Sequence, residues 1–411
     1  MVEIQGIMTL FIFSFIGIYM DVWFLLNLFS YKKRLFEKKV AVNHPSISIL
    51  IPAYNAGKTI ARCLKSLVKV NYPKKIEIIV ISNGSTDKTN SIVKKFPNVK
   101  LLNLLKPNKA DALNAGLNIA RGEIIGIVDA DTYVTRESVK KMIGYFDDEK
   151  IGAVTSNIRV DHRTKVLTRF QNIEYMISAL TKKLFTFLNS LYLAPGALSL
   201  FKGNIIKKIK FNSDTMTEDF DLALSIIKKG YKIQNSLNSN VITEIPKTLK
   251  DFVKQRIRWF RGFFQTTFKH KDLLLNKNHK TLAWFVLLFG GYLGILIGMY
   301  LTTITLVNLL QSLIIFIKTN YATTFFDSTY VSISSLPQYF TALYFPYQLI
   351  NFLIIFTGAL LVYTIILKAF RSANKRNYLI LPFFVILYYS LIMFIWVAAL
   401  FLELVRWKKR W

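Results

Sequence analysis

The stretch Ile124–Asp131, with the sequence Ile-Ile-Gly-Ile-Val-Asp-Ala-Asp, decides the fold class of this 411-residue chain. Its apolar residues run without polar alternation and stop at two carboxylates, which is typical of a parallel strand covered on both faces. Three similar runs precede it: Ile47–Ile51, Ile76–Ser82 and Val99–Asn103. Apolar stripes at helical spacing lie between them: Ile60, Leu64, Leu67 and Val68, then Ala112, Leu113, Gly116, Leu117 and Ala120. Strands that alternate with helices predict a parallel α/β sheet.

Polar residues end three of these runs. Ligands of an open parallel sheet bind beyond the carboxyl ends of its strands, so these residues are candidates for a site. The polar ends are Pro52-Ala53-Tyr54-Asn55, Ser82-Asn83-Gly84-Ser85-Thr86-Asp87 and Asp129-Ala130-Asp131. Another run, Ala197–Phe201, ends at Lys202, and we count it as a fourth polar strand end of the same sheet.

The composition indicates a membrane protein. Apolar residues make up 52% of the chain and charged residues only 19%, which excludes a disordered or collagen-like protein. Basic residues outnumber acidic ones by 30, as in nucleic-acid binders, membrane proteins with positive flanks and enzymes for anionic substrates. The apolar excess favours the membrane protein, and no nucleic-acid partner is needed. Cys63 is the only cysteine, which excludes an intramolecular disulfide and predicts a buried thiol.

Two apolar regions flank a stretch of soluble composition and divide the chain into three expected parts. Residues 1–43 form a transmembrane anchor and its basic flank, because 4–30 have the length and polarity of a bilayer span. Residues 44–265 form a soluble domain, placed in the cytoplasm by the positive-inside rule. Residues 266–411 form an interfacial segment and about three spans, near 282–317, 341–367 and 378–405. Three spans leave the basic terminus 406–410 outside, so their number stays open.

The acidic pair Asp129 and Asp131 is the first candidate for chemistry. In extended geometry both carboxylates point to one side, where they suit a hard cation and a sugar hydroxyl, although Asp-rich turns are also common for local reasons. Lys109 lies near a helix start, where a cation and free backbone donors suit a diphosphate. The alternative for Lys109 is a solvated helix end.

Two further motifs admit a structural and a functional interpretation. Thr217-Glu218-Asp219 precedes an apolar helix and suits either an N-terminal cap or a general base at Asp219. Gln255, Arg258 and Trp259 share one helical face, which suits a diphosphate and a stacked sugar ring. The alternative is an interfacial helix, and we expect both, with Phe252, Phe260, Phe263 and Phe264 toward the bilayer.

The order of these motifs resembles glycosyltransferase family 2, in its membrane-embedded processive branch of cellulose, hyaluronan and poly-N-acetylglucosamine synthases. The resemblance spans roughly residues 45–265 and rests on six motifs in the family's order. It implies an α/β GT-A domain, inserted between transmembrane helices, that binds a nucleotide-diphospho-sugar and Mg or Mn. One departure is that Ser82 and Asn83 stand where the family usually has two acidic residues.

The resemblance also implies a role for each motif. The donor would be bound by Tyr54 on the base, Asn83, Asp87, Lys109, Asp129 on the ribose or sugar, Asp131, Gln255 and Arg258. Asp131 would coordinate the metal across the diphosphate. Asp219 would be the base in an inverting reaction, and Glu218 and Trp259 would bind the acceptor.

The implied function is polymerisation of a UDP-sugar, for which UDP-N-acetylglucosamine is the best guess, into a β-linked polysaccharide that passes into the membrane. Its partners would be the donor, the growing glycan and the lipid bilayer, with any accessory subunits unidentified. Two alternatives stay open: transfer of one sugar to a lipid carrier or lipid-linked glycan, and a non-catalytic membrane subunit of a synthase complex. Product length distinguishes the first, and the effect of Asp219→Asn distinguishes the second.

Overall fold

A computed structural model describes residues 2–161, 164–274, 276, 279, 281–300, 346–370 and 375–405, together with single residues between 303 and 318. The chain divides into two compact units. One comprises Met1–Phe29 and Gly290–Val397, and the other comprises Ser30–Phe289 and Ala398–Trp411. The candidate site residues all lie in the second unit.

The second unit is built on an eight-stranded sheet in the order β3-β2-β1-β4-β7-β6-β8-β5. The strands are β1 (Ile47–Ala53), β2 (Glu77–Asn83), β3 (Val99–Leu104), β4 (Ile124–Val128), β5 (Thr132–Val134), β6 (Ile151–Val160), β7 (Ala197–Lys202) and β8 (Lys232–Thr243). Strands β3, β2, β1 and β4 pair in parallel, which confirms the four strands predicted from their apolar runs.

The sheet is mixed, so the prediction of a purely parallel sheet is wrong. Strand β7 pairs antiparallel with both β4 and β6, and β5 pairs antiparallel with β8. Lys202 therefore pairs with Ile124, at the amino end of β4, and lies at the opposite edge from Asp129. The residues of β7 that do reach the carboxyl edge of β4 are those at its start, because Ala197 pairs with Val128.

The helices of both units, within the described residues, are α1 (Val2–Tyr31), α2 (Ile60–Val68), α3 (Thr89–Val93), α4 (Lys109–Ile119), α5 (Lys140–Ile143), α6 (Val166–Phe187), α7 (Gly203–Ile209), α8 (Glu218–Lys228), α9 (Leu249–Lys269), α10 (Lys271–Leu274), α11 (Pro346–Ala369), α12 (Lys375–Phe383) and α13 (Tyr389–Leu404). Within the second unit, helices α4, α7 and α8 pack on one face of the sheet and helices α2 and α5 on the other. The segments Thr281–Leu293 and Phe384–Tyr388 are π-helical.

Alternate residues of the central strand β1 enter two separate cores, as the period of a strand requires. Leu50 packs in the core that includes α4 and α8, whereas Ile49 and Ile51 pack in the core that includes α2 and α5. The apolar stripe predicted for α4 is buried throughout. The stripe predicted for α2 is buried except at Val68, which is 56% exposed. Cys63, as predicted, is a buried free thiol.

Two helices of the described chain, Thr281–Tyr300 and Tyr378–Leu404, are long and apolar enough to cross a bilayer, and a shorter apolar helix spans Phe356–Lys368. These helices overlap the three predicted C-terminal apolar stretches, one helix in each. The number of spans and the N-terminal anchor remain predictions, since they rest here on length and composition alone. The basic terminus 406–410 and most of 301–345 lie outside the described residues.

We expect Ile79→Ala to lower the stability of the sheet strongly, by about 2–5 kcal/mol, because Ile79 is fully buried in β2 and truncation leaves a cavity. The measurement is the thermal denaturation midpoint of the purified protein in lipid. Ile119→Ala is the matched control, because Ile119 is 41% exposed at the end of α4. Equal shifts for the two variants would contradict the assignment of Ile79 to the core.

Candidate active site

The loops that follow β1 and β2 are joined by hydrogen bonds at the carboxyl edge of the sheet. Asn55 adopts a left-handed backbone conformation, with φ of 48°. Its side-chain Oδ1 accepts a hydrogen bond from the Thr86 amide at 2.9 Å, and its own amide donates to the Ser85 hydroxyl at 3.1 Å. Asn suits this position because it tolerates positive φ and its short side chain bonds nearby backbone. The neighbouring Tyr54 is 57% exposed beside this joined pair of loops.

Asp87 contributes to the same loop structure. Its Oδ2 accepts a hydrogen bond from the Gly57 amide at 2.9 Å, and its Oδ1 accepts from the Thr89 amide at 2.9 Å. The hydrogen bond from the Thr89 hydroxyl, together with these amides, lowers the pKa of Asp87 and keeps it ionised. Both carboxylate oxygens thus bind donors of the protein, and Asp87 fixes the shape of the β1 and β2 loops.

Asn83, at the end of β2, determines where α4 begins. It is buried, and its Oδ1 accepts a hydrogen bond from the Asn108 amide at 2.9 Å. Asn108 in turn caps α4, since its side chain accepts from the amides of Ala110 at 3.0 Å and Asp111 at 3.3 Å. This chain of contacts places Lys109 at the first helical position, facing the site.

Lys109 joins the two acidic motifs. Its Nζ lies 2.9 Å from Oδ1 of Asp129 and 2.8 Å from Oε1 of Glu218. Burial would lower the pKa of Lys109, but the carboxylates of Asp129, Glu218 and Asp219 outweigh that effect and raise it, so the ammonium stays charged. The interpretation of Lys109 as a solvated helix end is therefore wrong.

Asp129 and Asp131 lie in a tight turn and not in an extended strand, because the Thr132 amide donates to the Asp129 carbonyl at 2.9 Å. The backbone of Gly196 closes one side of this turn. Its carbonyl accepts from the Asp129 amide at 2.9 Å, and a Cβ at Gly196 would approach Asp129 Oδ1 to 2.6 Å. A larger residue at this position, just before β7, would therefore displace the Asp129 carboxylate.

The acidic turn fits a divalent cation that is shared with a substrate. Burial, and then the charge of Asp129, raise the pKa of Asp131 to about 6, and a bound cation would relieve this repulsion. Within the described part of the chain, no group of three or more His, Cys, Asp or Glu side chains is arranged to hold a metal. One or two carboxylates completed by substrate phosphates are the usual environment of Mg²⁺. The residues present therefore fit an ion bound together with a diphosphate.

Helix α8 begins at Glu218, as the capping interpretation predicted, but the Thr217 side chain makes no capping hydrogen bond. Glu218 is 8% exposed, and although burial opposes its ionisation, the ion pair with Lys109 lowers its pKa. Burial and the neighbouring Glu218 charge raise the pKa of Asp219 to about 6. One carboxylate of the motif is thus fixed as an ion, and the next has the proton affinity that suits a general base near neutral pH.

Helix α9 carries Gln255, Arg258 and Trp259, which are all partly exposed. Arg258 Nη1 donates to the Met216 carbonyl at 3.2 Å, just before the motif of Glu218 and Asp219. The prediction that the aromatic residues of this helix face the bilayer is wrong for two of them. Phe252 is fully buried, and Phe263 stacks on Phe220 of α8 with ring centroids 5.9 Å apart.

Arg256 is the site residue that sequence reasoning missed. Its side chain is fully buried and forms an ion pair with Glu174 of α6. Its guanidinium lies 4.1 Å from the ring centroid of Trp259, within the range of a cation–π contact, and its Nη1 donates to Gln255 Oε1 at 3.3 Å. Arg256 therefore holds two predicted site residues from inside the protein. In the sequence it is one more cation in a basic chain, and its pairing with α6 leaves no local signal.

Comparisons with known proteins agree with this geometry. Residues 48–210 match the sequence model of the family described as Glycosyl transferase family 2. The chain is 27% identical over 350 residues to the poly-beta-1,6-N-acetyl-D-glucosamine synthase of Staphylococcus epidermidis, which covers 80% of this chain and 84% of that protein. It is 31% identical over 274 residues to the probable glycosyltransferase YdaM of Bacillus subtilis, covering 60% of this chain and 64% of that protein.

Among solved structures, the fold is similar to that of the mannosyltransferase PcManGT of Pyrobaculum calidifontis in complex with GDP-Man and Mn²⁺. The TM-score is 0.54 at 20% sequence identity, with 88% of this chain and all of that chain covered. The fold and the site thus define a glycosyltransferase with a GT-A-like domain on a mixed sheet. The match of residues 48–210 to glycosyltransferase family 2 confirms the family predicted from the order of the motifs.

We expect Lys109→Met to reduce sugar transfer by about 100-fold or more, because Asp129 and Glu218 lose the cation that they share. The measurement is the initial rate of nucleotide release from the sugar donor. Lys106→Met is the matched control, since Lys106 is exposed three residues earlier and should leave the rate unchanged. A Lys109 variant as active as the Lys106 variant would refute the bridging role.

Proposed function

We propose that this protein is an inverting, processive glycosyltransferase that polymerises a UDP-sugar into a β-linked polysaccharide. The observation that carries the proposal is the double contact of Lys109 with Asp129 and Glu218, which brings a donor motif and an acceptor motif together. UDP-N-acetylglucosamine is the donor favoured by the relatives, which are named poly-beta-1,6-N-acetyl-D-glucosamine synthases. We also propose that the polymer passes into the membrane.

The donor would bind at the carboxyl edge of the sheet. Tyr54 would stack on the base, and Asn83 would contact it with its amide nitrogen, since its carbonyl oxygen binds the Asn108 amide. Asp87 would act on the donor through the loop that it shapes. Asp129 would touch the ribose or the sugar, and Lys109 would help to neutralise the diphosphate. Gln255 and Arg258 would approach the diphosphate from α9.

A Mg²⁺ or Mn²⁺ ion, held by Asp131 together with the diphosphate oxygens, would supply positive charge to the leaving nucleoside diphosphate. The protein's own contribution to the same charge is Lys109, which stays protonated beside the acidic residues. Arg258, whose charge also acts on Asp219 and Glu218, adds a second fixed cation at the proposed diphosphate position.

The chemical step follows from the proton affinity of Asp219. Its carboxylate would take the proton of the acceptor hydroxyl while the hydroxyl oxygen attacks the anomeric carbon from the face opposite the leaving group. The bond from the anomeric carbon to the diphosphate oxygen breaks, and the nucleoside diphosphate departs with the bonding electrons. Attack from the opposite face inverts the anomeric configuration and gives a β-linkage. Glu218 and Trp259 would hold the acceptor sugar, with Trp259 supported from below by Arg256.

The domain arrangement supports a site at a membrane surface. We propose a transmembrane anchor and basic flank over 1–43, a cytosolic catalytic domain over 44–265, and an interfacial segment with transmembrane helices over 266–411. The protein would be a multi-pass protein of the cell membrane. Two helices of suitable length and polarity support this arrangement, Thr281–Tyr300 and Tyr378–Leu404.

The first test is incorporation of labelled sugar by the purified protein in lipid, with UDP-N-acetylglucosamine, UDP-glucose and UDP-glucuronate supplied singly and in pairs with Mg²⁺ or Mn²⁺. We expect a high-mass product from UDP-N-acetylglucosamine alone. A short lipid-linked product would support the single-transfer alternative and end the proposal of processivity. Full activity in Asp219→Asn would exclude Asp219 as the base, and no turnover with any donor would favour the non-catalytic subunit.

The pH dependence of transfer should report Asp219. A base acts in its deprotonated form, so with a pKa of about 6 the rate should rise as the pH increases through about 6 and level off above it. The measurement is kcat from pH 5 to 8 at saturating donor. Glu149→Gln, at an exposed site, is the control and should leave the profile unchanged. A profile that is flat across pH 6 would argue against Asp219 as the base.

A further inference from the structure

Glu403 is the one acidic residue of the apolar helix α13 and lies near its end. From Ala398 onward this helix belongs to the same compact unit as the catalytic domain. The Glu403 carboxylate accepts hydrogen bonds from two residues of α9. Arg261 Nε donates at 2.8 Å, and Gln265 Nε2 donates at 3.0 Å to each carboxylate oxygen. Arg261 is 5% exposed, and the Glu403 side chain is 28% exposed.

The carboxylate determines which way the Gln265 amide points. A carboxamide presents a donor on one side and an acceptor on the other, and an ionised carboxylate only accepts. Glu403 therefore fixes Nε2 of Gln265 on its own side and turns Oε1 the other way. That oxygen accepts a hydrogen bond from the Met216 amide at 3.0 Å.

Met216 connects this contact to the catalytic motif. Its carbonyl accepts a hydrogen bond from Arg258, and the next residue, Thr217, lies against α9 at Gly262. A Cβ at Gly262 would come within 2.4 Å of the Thr217 Cγ2 atom, so the approach requires glycine. The Thr217 hydroxyl also lies 3.3 Å from the hydroxyl of Thr266. The backbone before Glu218 and Asp219 is thus held on α9 at several consecutive points.

We propose that Glu403 is a positioning residue for sugar transfer, which acts through Gln265 and Met216 on the segment that carries the base Asp219. The proposal rests on the proposed function of Asp219. It makes the last apolar helix a part of the catalytic scaffold and not only a membrane segment. The group that would respond is the backbone at Met216, whose displacement moves Glu218 and Asp219 with it.

A simpler role for Glu403 is the neutralisation of Arg261 alone, and the two roles predict opposite results for two single variants. Gln265→Glu keeps an acceptor for the Met216 amide but places a carboxylate against Glu403, which disrupts the orienting contact while Arg261 keeps its partner. Glu403→Gln removes the charge that pairs with Arg261 but can still accept from Gln265 Nε2. Positioning makes Gln265→Glu the more harmful variant, whereas simple neutralisation makes Glu403→Gln the more harmful one.

The decisive variant is the double variant that combines Gln265→Glu with Glu403→Gln and so swaps the two side chains. In it, the amide nitrogen at 403 can donate to the carboxylate at 265, whose other oxygen still accepts from Met216, so the chain of hydrogen bonds is restored with one link reversed. We expect Gln265→Glu to lower kcat by about 10- to 100-fold, since small displacements of reacting groups have effects of this size. Glu403→Gln should lower kcat by about 3-fold, and kcat of the double variant should recover to about the level of Glu403→Gln.

The experiment measures kcat and donor KM for the full-length protein in lipid, with Glu149→Gln as the control for loss of a surface carboxylate. Donor KM should stay within about 2-fold in all variants, because neither Gln265 nor Glu403 is a proposed donor contact. Hydrogen–deuterium exchange of the Met216 amide is measured in parallel. We expect faster hydrogen exchange at this amide in Gln265→Glu and restored protection in the double variant.

The two measurements separate the proposal from the function on which it rests. If the wild-type protein transfers no sugar, the proposed function fails, and amide exchange still decides whether Glu403 and Gln265 hold Met216. Exchange at Met216 that is unaffected by Gln265→Glu would overturn the link. Faster hydrogen exchange at Met216 with an unchanged kcat would overturn the positioning role. A double variant as inactive as Gln265→Glu would overturn it too.

Discussion

The site depends on one ammonium group between carboxylates from two different parts of the chain. Asp129 comes from the end of β4 and Glu218 from the start of α8, and Lys109 contacts both within 3 Å. Without that cation, the acidic residues would repel one another, and the pKa values of about 6 at Asp131 and Asp219 show that repulsion and burial remain strong even with it. The site therefore depends on the position of Lys109. That position is set by Asn83, which binds the Asn108 amide at the start of α4.

Helix α9 provides the second half of the site because it binds a different partner on each of its sides. One side holds the Met216–Thr217 backbone through Arg258, Gly262 and Gln265. Farther along, the buried Asp221 of α8 contacts Lys269 at 3.0 Å and His270 at 2.8 Å. Another side directs Arg256 to Glu174 of α6. A single rigid helix thus sets the position of the proposed base and of the proposed acceptor platform, Trp259, relative to each other.

The sequence predicted those parts of the fold and site whose signals are local. Uninterrupted apolar runs identified the four parallel strands, because a strand buried on both faces needs no polar alternation. The antiparallel insertion of β7 was not predictable in this way, since an apolar run has no direction, and Lys202 was consequently placed at the wrong edge of the sheet. The acidic turn was found from residue types alone, while its geometry depends on Gly196, which is remote in sequence.

The polar residues of α9 show why the rest of the site could not be predicted from the sequence. A helix rich in Arg and Phe just before apolar segments has the composition of an interfacial helix, and sequence patterns cannot distinguish a cation that faces phospholipid from one that faces a buried carboxylate. The structure distinguishes them by partner. Arg256 is fully buried against Glu174, and Arg261 binds Glu403 from the far end of the chain. Because a buried guanidinium without a carboxylate would be strongly unfavourable, these two pairings oblige the side of α9 that carries Arg256 and Arg261 to pack against the protein, while other residues of the helix, such as Phe268, are exposed.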